Sequence, residues 1–294
     1  MLDRNLPLNS PAGTPVSFAR ALQAAALRLA DCSDTPGLDA EVLLRHVLGR
    51  DRAYLRAWPE QLLRPDQLDG FQTLVESRRN GWPVAYLTGE REFWSRPFVV
   101  RPGVLIPRPE TELLIELALE LIPEDRPAEV LDLGTGSGVI AITLAAERPL
   151  ARIIATDLSP EALAIARENA ARHGAARIRF ALGDWFSALP EAARFDLIAS
   201  NPPYIADHDV HLRLGDVRFE PKLALEAGPE GLDALRAIAR DAGNWLKPGG
   251  RLLLEHGYHQ ADALAALLAR LGYDGIAHHR DLAGHRRVVA ATRP

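Results

Sequence analysis

The first part of the chain carries apolar residues at the three- and four-residue spacing of amphipathic helices. Three segments show this period: SFARALQAAALRLA (17–30), LDAEVLLRHVLGR (38–50) and DQLDGFQTLVESRRN (66–80). The second segment stops at Gly49, as is typical of a helix C-terminus. No strand pattern interrupts the three segments. Residues 1–81 are therefore predicted to form a small helical domain.

The pattern changes over residues 82–109, WPVAYLTGEREFWSRPFVVRPGVLIPRP. Aromatic residues, prolines and the short β-like runs FVV and VLI predict a hairpin-like connector. A helix is predicted next, in ETELLIELALELI, with Pro109 near its first turn. A proline is tolerated there because the N–H that it lacks would have no partner within the helix.

From Glu129 onward, strand-like runs alternate with helical segments. The predicted strands are EVLDLG, ARIIATD, RIRFALGD, FDLIAS, RLLLEHG and RRVVAAT, with DGIAHHRD as a further candidate. The helical segments are VIAITLAAER, PEALAIARENAARH, LDALRAIARDAGNWL and ADALAALLARLG. This alternation predicts one α/β domain over residues 110–294, with a mostly parallel sheet of seven strands covered on both faces. Such sheets bind ligands at the carboxyl ends of their strands.

Composition narrows the class of protein. The 294 residues are 47% hydrophobic and 25% charged, as in soluble globular proteins. With 34 Lys and Arg against 39 Asp and Glu, the net charge of −5 argues against stable nucleic-acid binding. No run approaches the roughly 20 apolar residues of a membrane span, and the N-terminal lead-in lacks the apolar core of a signal peptide. A cytoplasmic protein with no membrane association is expected, and the single cysteine, Cys32, excludes an internal disulfide.

Asn201-Pro202-Pro203-Tyr204 directly follows the predicted strand FDLIAS. One interpretation is a rigid strand terminator, since proline lacks an N–H and asparagine often precedes turns. The other is a fixed set of polar and aromatic groups at the ligand-binding edge of the sheet. These four residues alone do not decide between the two.

A glycine-rich loop, LDLGTGSG (131–138), joins the first predicted strand of the sheet to the helix that follows. Gly134 and Gly136 allow a tight turn and a close approach of backbone N–H groups to a ligand. The third glycine, Gly138, is followed by Val139 and departs from the dinucleotide fingerprint. With Asp132 nearby, the loop suits a less anionic or zwitterionic ligand. A glycine turn without any ligand is the alternative.

The next two strands also end in residues that can bind a ligand. Asp157 can accept hydrogen bonds from both hydroxyls of a ribose. Alternatively, the segment Asp157-Leu158-Ser159-Pro160 simply caps the next helix. Asp184 can accept from an exocyclic amine, and Trp185 can contact a purine or belong to the core. Three consecutive strand ends with these residue types favour one binding site.

The order LDLGTGSG, ATD, GDW, SNPPY resembles the class I S-adenosylmethionine-dependent methyltransferases over roughly residues 129–290. Asn-Pro-Pro-Tyr is the form of their catalytic motif that acts on planar nitrogens. The segments LTGEREFW, VLIPRPETELL, GDVRFEP and LLLEHG resemble more closely the protein-(glutamine-N5) methyltransferases of peptide chain release factors. Pro109-Glu110-Thr111 favours this group over the relatives that act on a ribosomal protein.

The resemblance implies S-adenosylmethionine as cofactor, with S-adenosylhomocysteine as product, and a glutamine of release factors as substrate. It implies cofactor contacts at Gly134, Thr135, Gly136, Ser137, Gly138, Asp157, Trp185 and Asn201, and Asp184 joins this set from its place at a strand end. It also implies substrate contacts at Asn201, Pro202, Pro203 and Tyr204, of which Asn201, Pro202 and Tyr204 are predicted to be catalytic. Because residues 1–81 contain none of the cofactor motifs, they are predicted to dock the protein substrate.

An amide nitrogen is a poor nucleophile, because its lone pair is delocalised into the carbonyl group. The side-chain oxygen of Asn201 and the carbonyl of Pro202 can accept the two amide hydrogens and hold that lone pair towards the methyl group. The prolines make the carbonyl rigid, and Tyr204 can pack on the planar amide. No dedicated base is predicted, since the methylated nitrogen becomes acidic.

Other functions stay open at this stage. The same motif can serve a methyltransferase that acts on a ribosomal-protein glutamine or on an adenine or guanine amine. A cofactor-binding module without chemistry is a third possibility, and the intact Asn-Pro-Pro-Tyr argues against it. Arg108 and Glu112 either orient the substrate or form a surface pair. No metal is expected, because the histidines lack ligand companions at zinc-type spacing: His256, His259, His278 and His279.

Overall fold

The computed structural model describes residues 15–294, so the first fourteen residues of the predicted lead-in lie outside it. The chain divides into two compact units, one that ends at Gly89 and one that runs from Glu90 to Pro294. None of the helices in the described part of the chain has the length and hydropathy of a bilayer span.

The first unit is helical, as predicted. Its helices are α1 (Phe18–Leu29), α2 (Pro36–Leu48), α3 (Arg52–Ala57), α4 (Pro65–Arg79) and α5 (Val84–Thr88). They enclose a core of their own that includes Phe18, Leu44 and Phe71. The sequence pattern missed α3 and α5, because helices of 6 and 5 residues are too short to show a helical period.

The second unit opens with the predicted hairpin, at a different place from the one expected. β1 (Glu90–Phe93) pairs antiparallel with β2 (Arg96–Val99). The expected strand over Val104–Ile106 does not form. The backbone N–H of Ile106 instead donates a 3.0 Å hydrogen bond to the carboxylate of Glu220, so a side chain takes the place of a strand partner.

A seven-stranded sheet forms the centre of the second unit. It contains β3 (Glu129–Leu133), β4 (Arg152–Asp157), β5 (Arg179–Leu182), β6 (Phe195–Ser200), β7 (Leu246–Glu255), β8 (Asp274–Arg280) and β9 (Arg286–Thr292). The strand order is β5-β4-β3-β6-β7-β9-β8. The first five strands in this order are parallel, and β9 is antiparallel to both of its neighbours. The prediction of a mostly parallel sheet of seven strands is confirmed, including DGIAHHRD as a strand.

Helices cover both faces of this sheet. They are α6 (Thr111–Leu121), α7 (Val139–Glu147), α8 (Pro160–Arg172), α9 (Asp233–Trp245) and α10 (Ala261–Arg270), with short 3-10 turns at Val210–Arg213, Val217–Phe219 and Lys222–Ala224. Side chains alternate along each strand, so Val130 enters the core beneath α6 and α7 while Leu131 enters the core beneath α9 and α10.

The strand register determines which residues meet at the carboxyl edge. Leu133 pairs with Ser200, and Ser200 pairs with Leu254. The residues that follow, Gly134 and Asn201, therefore lie beside each other, and Glu255 lies next along the edge. The strand order reverses between β3 and β6, which is where doubly wound sheets open a ligand crevice.

Candidate active site

A cavity of about 650 Å³ opens at this reversal point. Most of the predicted site residues line it together, although they come from four different strand ends. Those residues are Gly134, Thr135, Gly136, Ser137, Asp157, Asp184, Trp185, Asn201 and Pro203. The remaining predicted residues, Gly138, Pro202 and Tyr204, are not among its lining residues.

Gly138 has a structural task. It is the residue before α7, its φ is +88°, and an added Cβ would lie 2.7 Å from Cδ1 of Ile142 and 3.2 Å from Cβ of Ala166. A side chain at this position would therefore separate α7 from α8. The conformation of Gly138 lets the helix start close to its neighbour and so holds the glycine-rich loop beside the cavity.

The glycine-rich loop is fixed by a buried carboxylate and by the backbone of β4. The N–H groups of Gly134 and Thr135 donate to the carbonyl of Thr156 at 2.9 and 3.0 Å. Asp132 accepts from the Thr135 hydroxyl at 2.6 Å and from the Ala141 N–H at 3.2 Å. Burial raises the pKa of the Asp132 carboxyl to about 7. Asp132 thus ties the loop to the first turn of α7.

Asp157 binds two backbone N–H groups at the end of β4. Its Oδ2 accepts from Gly136 and its Oδ1 from Ser159, each at 2.8 Å. Burial raises the pKa of its carboxyl. The segment Asp157–Pro160 does cap α8, as the alternative predicted: the cap is Ser159, whose hydroxyl accepts from the Ala162 N–H at 3.1 Å. Asp157 lines the cavity, and a carboxylate oxygen has lone pairs for a further donor such as a ribose hydroxyl.

Trp185 lies between the cavity and the core. Its indole lines the cavity and packs against the core beneath α9 and α10. Its φ of +45° is uncommon for a residue other than glycine, and its carbonyl accepts a 3.1 Å hydrogen bond from the hydroxyl of Thr156. An added Cβ at Gly134 would lie 3.5 Å from the indole. The indole and the glycine turn therefore form one continuous wall.

A chain of hydrogen bonds, buried at Thr111 and Glu255, reaches Asn201. The Asn201 side-chain amide donates to the Thr111 hydroxyl at 3.0 Å, and that hydroxyl donates to Oε2 of Glu255 at 2.8 Å. The hydroxyl of Tyr204 donates to the other oxygen of Glu255 at 3.3 Å. Burial raises the pKa of the Glu255 carboxyl to about 7, and burial together with Glu255 raises the pKa of Tyr204.

Arg108 and Glu112, the pair with an open role, have different partners. Arg108 lines the cavity and forms a 2.5 Å ion pair with Glu220, whose side chain is fully buried. Glu112 accepts a 3.1 Å hydrogen bond from the backbone N–H of Trp94. Arg108 and Glu220 therefore join the segment before α6 to the segment that follows Asn-Pro-Pro-Tyr.

The histidines that the sequence analysis considered include one close pair. The rings of His256 and His278 pack edge to face with centroids 5.4 Å apart. Burial lowers the pKa of His256 to about 4, so its imidazole is neutral near pH 7. Within residues 15–294, no group of three or more His, Cys, Asp and Glu side chains is arranged to hold a metal ion.

The sequence analysis assigned no role to Thr111, Glu220 or Glu255. A signal was present for Glu255, because it is a charged residue at the end of the apolar strand RLLLE. The carboxyl end of that strand reaches the same edge as the glycine-rich loop. Thr111 was marked only as part of Pro109-Glu110-Thr111, the segment that favours the release-factor group, and nothing in that segment indicates a hydrogen bond to Asn201.

Comparisons with known proteins agree with this architecture. A methyltransferase domain family matches residues 124–279, and the PrmC N-terminal domain family matches residues 20–89. A release factor glutamine methyltransferase of Vibrio cholerae is 50% identical over 279 residues, which cover 93% of this chain and 96% of that protein. The chain belongs to the release factor glutamine methyltransferase family. The Escherichia coli K12 relative of the same name is 46% identical over 257 residues, covering 87% of this chain and 92% of that protein.

Solved structures of other methyltransferases share the fold of this protein, although their sequence identity to it is low. A methyltransferase from Pyrococcus furiosus aligns with a TM-score of 0.53 at 17% identity, over 76% of this chain and 97% of that chain. The T. thermophilus 16S rRNA N2 G1207 methyltransferase, solved with AdoMet and guanosine, aligns with a TM-score of 0.51 at 23% identity. That alignment covers 70% of this chain and 50% of the other. The class I methyltransferase fold is thereby confirmed.

Proposed function

We propose that this enzyme transfers a methyl group from S-adenosylmethionine to the side-chain amide nitrogen (N5) of a glutamine in peptide chain release factors, the glutamine of their Gly-Gly-Gln motif. The observation that carries the proposal is the position of Asn201. Its side-chain amide lines the cavity beside the glycine-rich loop and is held by Thr111. The names of the relatives support the substrate.

The residues around the cavity fit the cofactor. A volume of about 650 Å³ is in the range of small-molecule sites. An added Cβ at Gly136 would meet no atom within 4 Å, so the glycine leaves open space where a ligand can approach the backbone. We assign Asp157 to the ribose hydroxyls, Asp184 and Trp185 to the adenine, and the loop Gly134–Ser137 to the methionine part. When bound, S-adenosylmethionine supplies an electrophilic methyl group on a sulfonium.

Asn201 and Pro202 are proposed to align the glutamine amide. The Asn201 side-chain oxygen and the Pro202 carbonyl accept one amide hydrogen each, which keeps the nitrogen lone pair directed at the methyl group. Two prolines with fixed φ make this arrangement rigid. Tyr204 flanks the plane of the amide, and its ring is held by the bond from its hydroxyl to Glu255.

The same acceptors stabilise the transition state. With S-adenosylmethionine bound, the methyl group would pass from sulfur to the amide nitrogen, the S–CH₃ bond would break and S-adenosylhomocysteine would be the leaving group. Positive charge would then develop on the nitrogen, and fixed acceptors would interact more strongly with its hydrogens. The methylated nitrogen then carries an acidic proton that water can remove. The proposal therefore requires alignment of the nitrogen rather than a dedicated base.

Release factors are the proposed partners, and residues 1–81 are the proposed docking domain. The match of residues 20–89 to the PrmC N-terminal domain supports a family-specific role for this part of the chain. The net charge of −5 does not favour nucleic acid as the substrate.

One incubation tests the proposal. The purified enzyme is mixed with labelled S-adenosylmethionine and, separately, with intact release factor, ribosomal protein and RNA, and the label is mapped by mass spectrometry. We expect label on the Gly-Gly-Gln glutamine of the release factor, and none on a release factor in which glutamate replaces that glutamine. Asn201→Ala enzyme serves as the matched control. Label on RNA or on the ribosomal protein, with an unlabelled release factor, would contradict the proposal.

A further inference from the structure

Donor and acceptor rules fix the direction of the hydrogen bonds at Thr111. A hydroxyl has one proton to donate, whereas an ionised carboxylate can only accept. When Glu255 is ionised, the Thr111 proton therefore goes to its Oε2, at 2.8 Å. The Thr111 oxygen then has no proton for Asn201, which lies 3.0 Å away, and can only accept a hydrogen bond from it. The group of Asn201 that faces Thr111 is therefore the NH₂.

This direction decides what Asn201 presents to the cavity. With its NH₂ turned to Thr111, the side-chain oxygen is the group available to a substrate N–H. If the amide were reversed, its NH₂ would meet the N–H of the glutamine amide, donor against donor. The two orientations have nearly the same shape, so packing alone distinguishes them poorly.

We propose that Thr111 and Glu255 are positioning residues that orient the Asn201 amide so that its oxygen faces the substrate nitrogen. This inference rests on the proposed function of Asn201. The register supports it, because the pairing of Ser200 with Leu254 brings the end of β7 beside the start of the Asn-Pro-Pro-Tyr segment. The first residue of α6, Thr111, completes the link.

The burial of Glu255 indicates a role beyond packing. Thr111 is 2% exposed and Glu255 is 0% exposed. A buried carboxylate destabilises a fold unless it is well paired, and an apolar side chain would fill the same volume without that penalty. Burial is the largest influence on Glu255 and raises its pKa, whereas the hydrogen bond from Thr111 and the charge of Arg287 favour the ionised form. The ionised form is the one that makes Thr111 a donor.

Thr111→Val tests the relay, because valine keeps the shape of threonine and removes its oxygen. We expect kcat for release factor methylation to fall by about 10- to 100-fold, in line with the effect of small misplacements at an active site. The Kd for S-adenosylmethionine and the KM for the release factor should change little. Thr111→Ser keeps the hydroxyl and should recover most of the lost turnover.

A matched control is available in α7. Thr143 is also fully buried, and its hydroxyl has no hydrogen-bond partner among the described residues. Thr143→Val therefore makes the same chemical change away from Asn201 and should leave kcat at the wild-type value.

Glu255→Gln is the second test variant. A glutamine can donate to Thr111, which frees the hydroxyl proton to bond to a reversed Asn201 amide, so kcat should again fall without a change in Kd.

A second measurement does not depend on activity. The side-chain NH₂ resonances of Asn201, assigned by their loss in Asn201→Ala, should shift in Thr111→Val and stay in place in Thr143→Val.

The outcomes separate the two proposals. Wild-type enzyme that does not methylate the release factor overturns the proposed function and, with it, the positioning role. If the wild-type enzyme is active and both Thr111→Val and Glu255→Gln keep the wild-type kcat, the positioning role alone is overturned. The same holds if the two variants change only the KM for the release factor. If Thr111→Val does not fold, Glu255→Gln decides, and a wild-type kcat in that variant overturns the inference.

Discussion

The carboxylate of Glu255 accepts a 2.8 Å hydrogen bond from the hydroxyl of Thr111, and the two residues are 144 positions apart in the chain. Its other oxygen accepts from Tyr204. One buried side chain at the end of β7 thus holds both the start of α6 and the Asn-Pro-Pro-Tyr segment. The stability of the fold and the geometry of the site therefore depend on the same carboxyl group.

Glu255→Gln should change how stability depends on pH. Burial raises the pKa of Glu255 from its ordinary 4.5 to about 7. Between these values the native state binds more protons than the unfolded state, so this residue lowers the free energy of unfolding as the pH rises. Urea titrations from pH 4.5 to 7 should show a smaller decline in Glu255→Gln than in wild type.

The control for this experiment is Asp262→Asn. Asp262 is exposed, and the hydrogen bond from Arg286 lowers the pKa of its carboxyl, so its titration window lies below that of Glu255. Its replacement should leave the slope between pH 4.5 and 7 unchanged. Parallel stability curves for wild type and Glu255→Gln would contradict the assignment of a raised pKa.

Asn201→Ala should impair chemistry more than cofactor binding. Loss of one fixed acceptor should lower kcat by about 10²–10³-fold, by analogy with the loss of one oxyanion-hole donor. Asn201→Asp keeps the shape and places a negative charge near the sulfonium, which should give tight cofactor binding and slow turnover. Single-turnover methylation and calorimetry measure both effects. A wild-type rate in Asn201→Ala, with only cofactor affinity reduced, would refute the alignment mechanism.

Asp157→Ala should weaken S-adenosylmethionine binding by about 1.5–3 kcal/mol, the range for hydrogen bonds to a charged group. Asp157→Asn retains one acceptor oxygen and should lose less. Calorimetry on both variants, with circular dichroism to check folding, makes the comparison. Unchanged affinity in a folded Asp157→Ala enzyme would remove this residue from the ribose site.

Two glycine substitutions in one loop should have different effects. Gly138→Ala places a Cβ 2.7 Å from Ile142 and should lower the free energy of unfolding by about 1–3 kcal/mol, as overpacking does. In Gly136→Ala the added Cβ meets no atom within 4 Å. The only cost to its free energy of unfolding should therefore come from placing an alanine at the positive φ of +57°. Because Gly136 lines the cavity, its variant should instead lose cofactor affinity. Equal stability losses in urea titrations would contradict this distinction.

A chain that begins at Glu90 tests the docking role of the helical unit. The cavity is lined entirely by residues of the second unit, so its affinity for S-adenosylmethionine should be nearly unchanged. We expect kcat/KM for intact release factor to fall at least about tenfold, equivalent to about 1.4 kcal/mol. A short peptide that contains the Gly-Gly-Gln motif should be methylated equally by both chains. Normal activity of the shortened chain on intact release factor would disprove the docking role.

Much of this architecture could be read from local patterns. Strand-like runs that alternate with amphipathic segments predicted the parallel sheet, because a helix and a strand bury their apolar residues with different periods. The glycine-rich loop, Asp157, Trp185 and Asn201 could be assigned to one edge, because the carboxyl ends of parallel strands share an edge. Local patterns could not predict the short helices α3 and α5 or the bounds of the hairpin strands, because an element of only a few residues shows no period.

The sequence by itself determined the fold class, the strand ends that form the cavity, and the family resemblance. Only the tertiary structure decided the partners of the polar side chains: Arg108 with Glu220, 112 positions apart, and Thr111 between Asn201 and Glu255. The reason is physical. Periodicity reports which face of an element is buried, whereas a hydrogen bond between distant residues depends on strand register and on the placement of helices, which arise only when the whole sheet has formed.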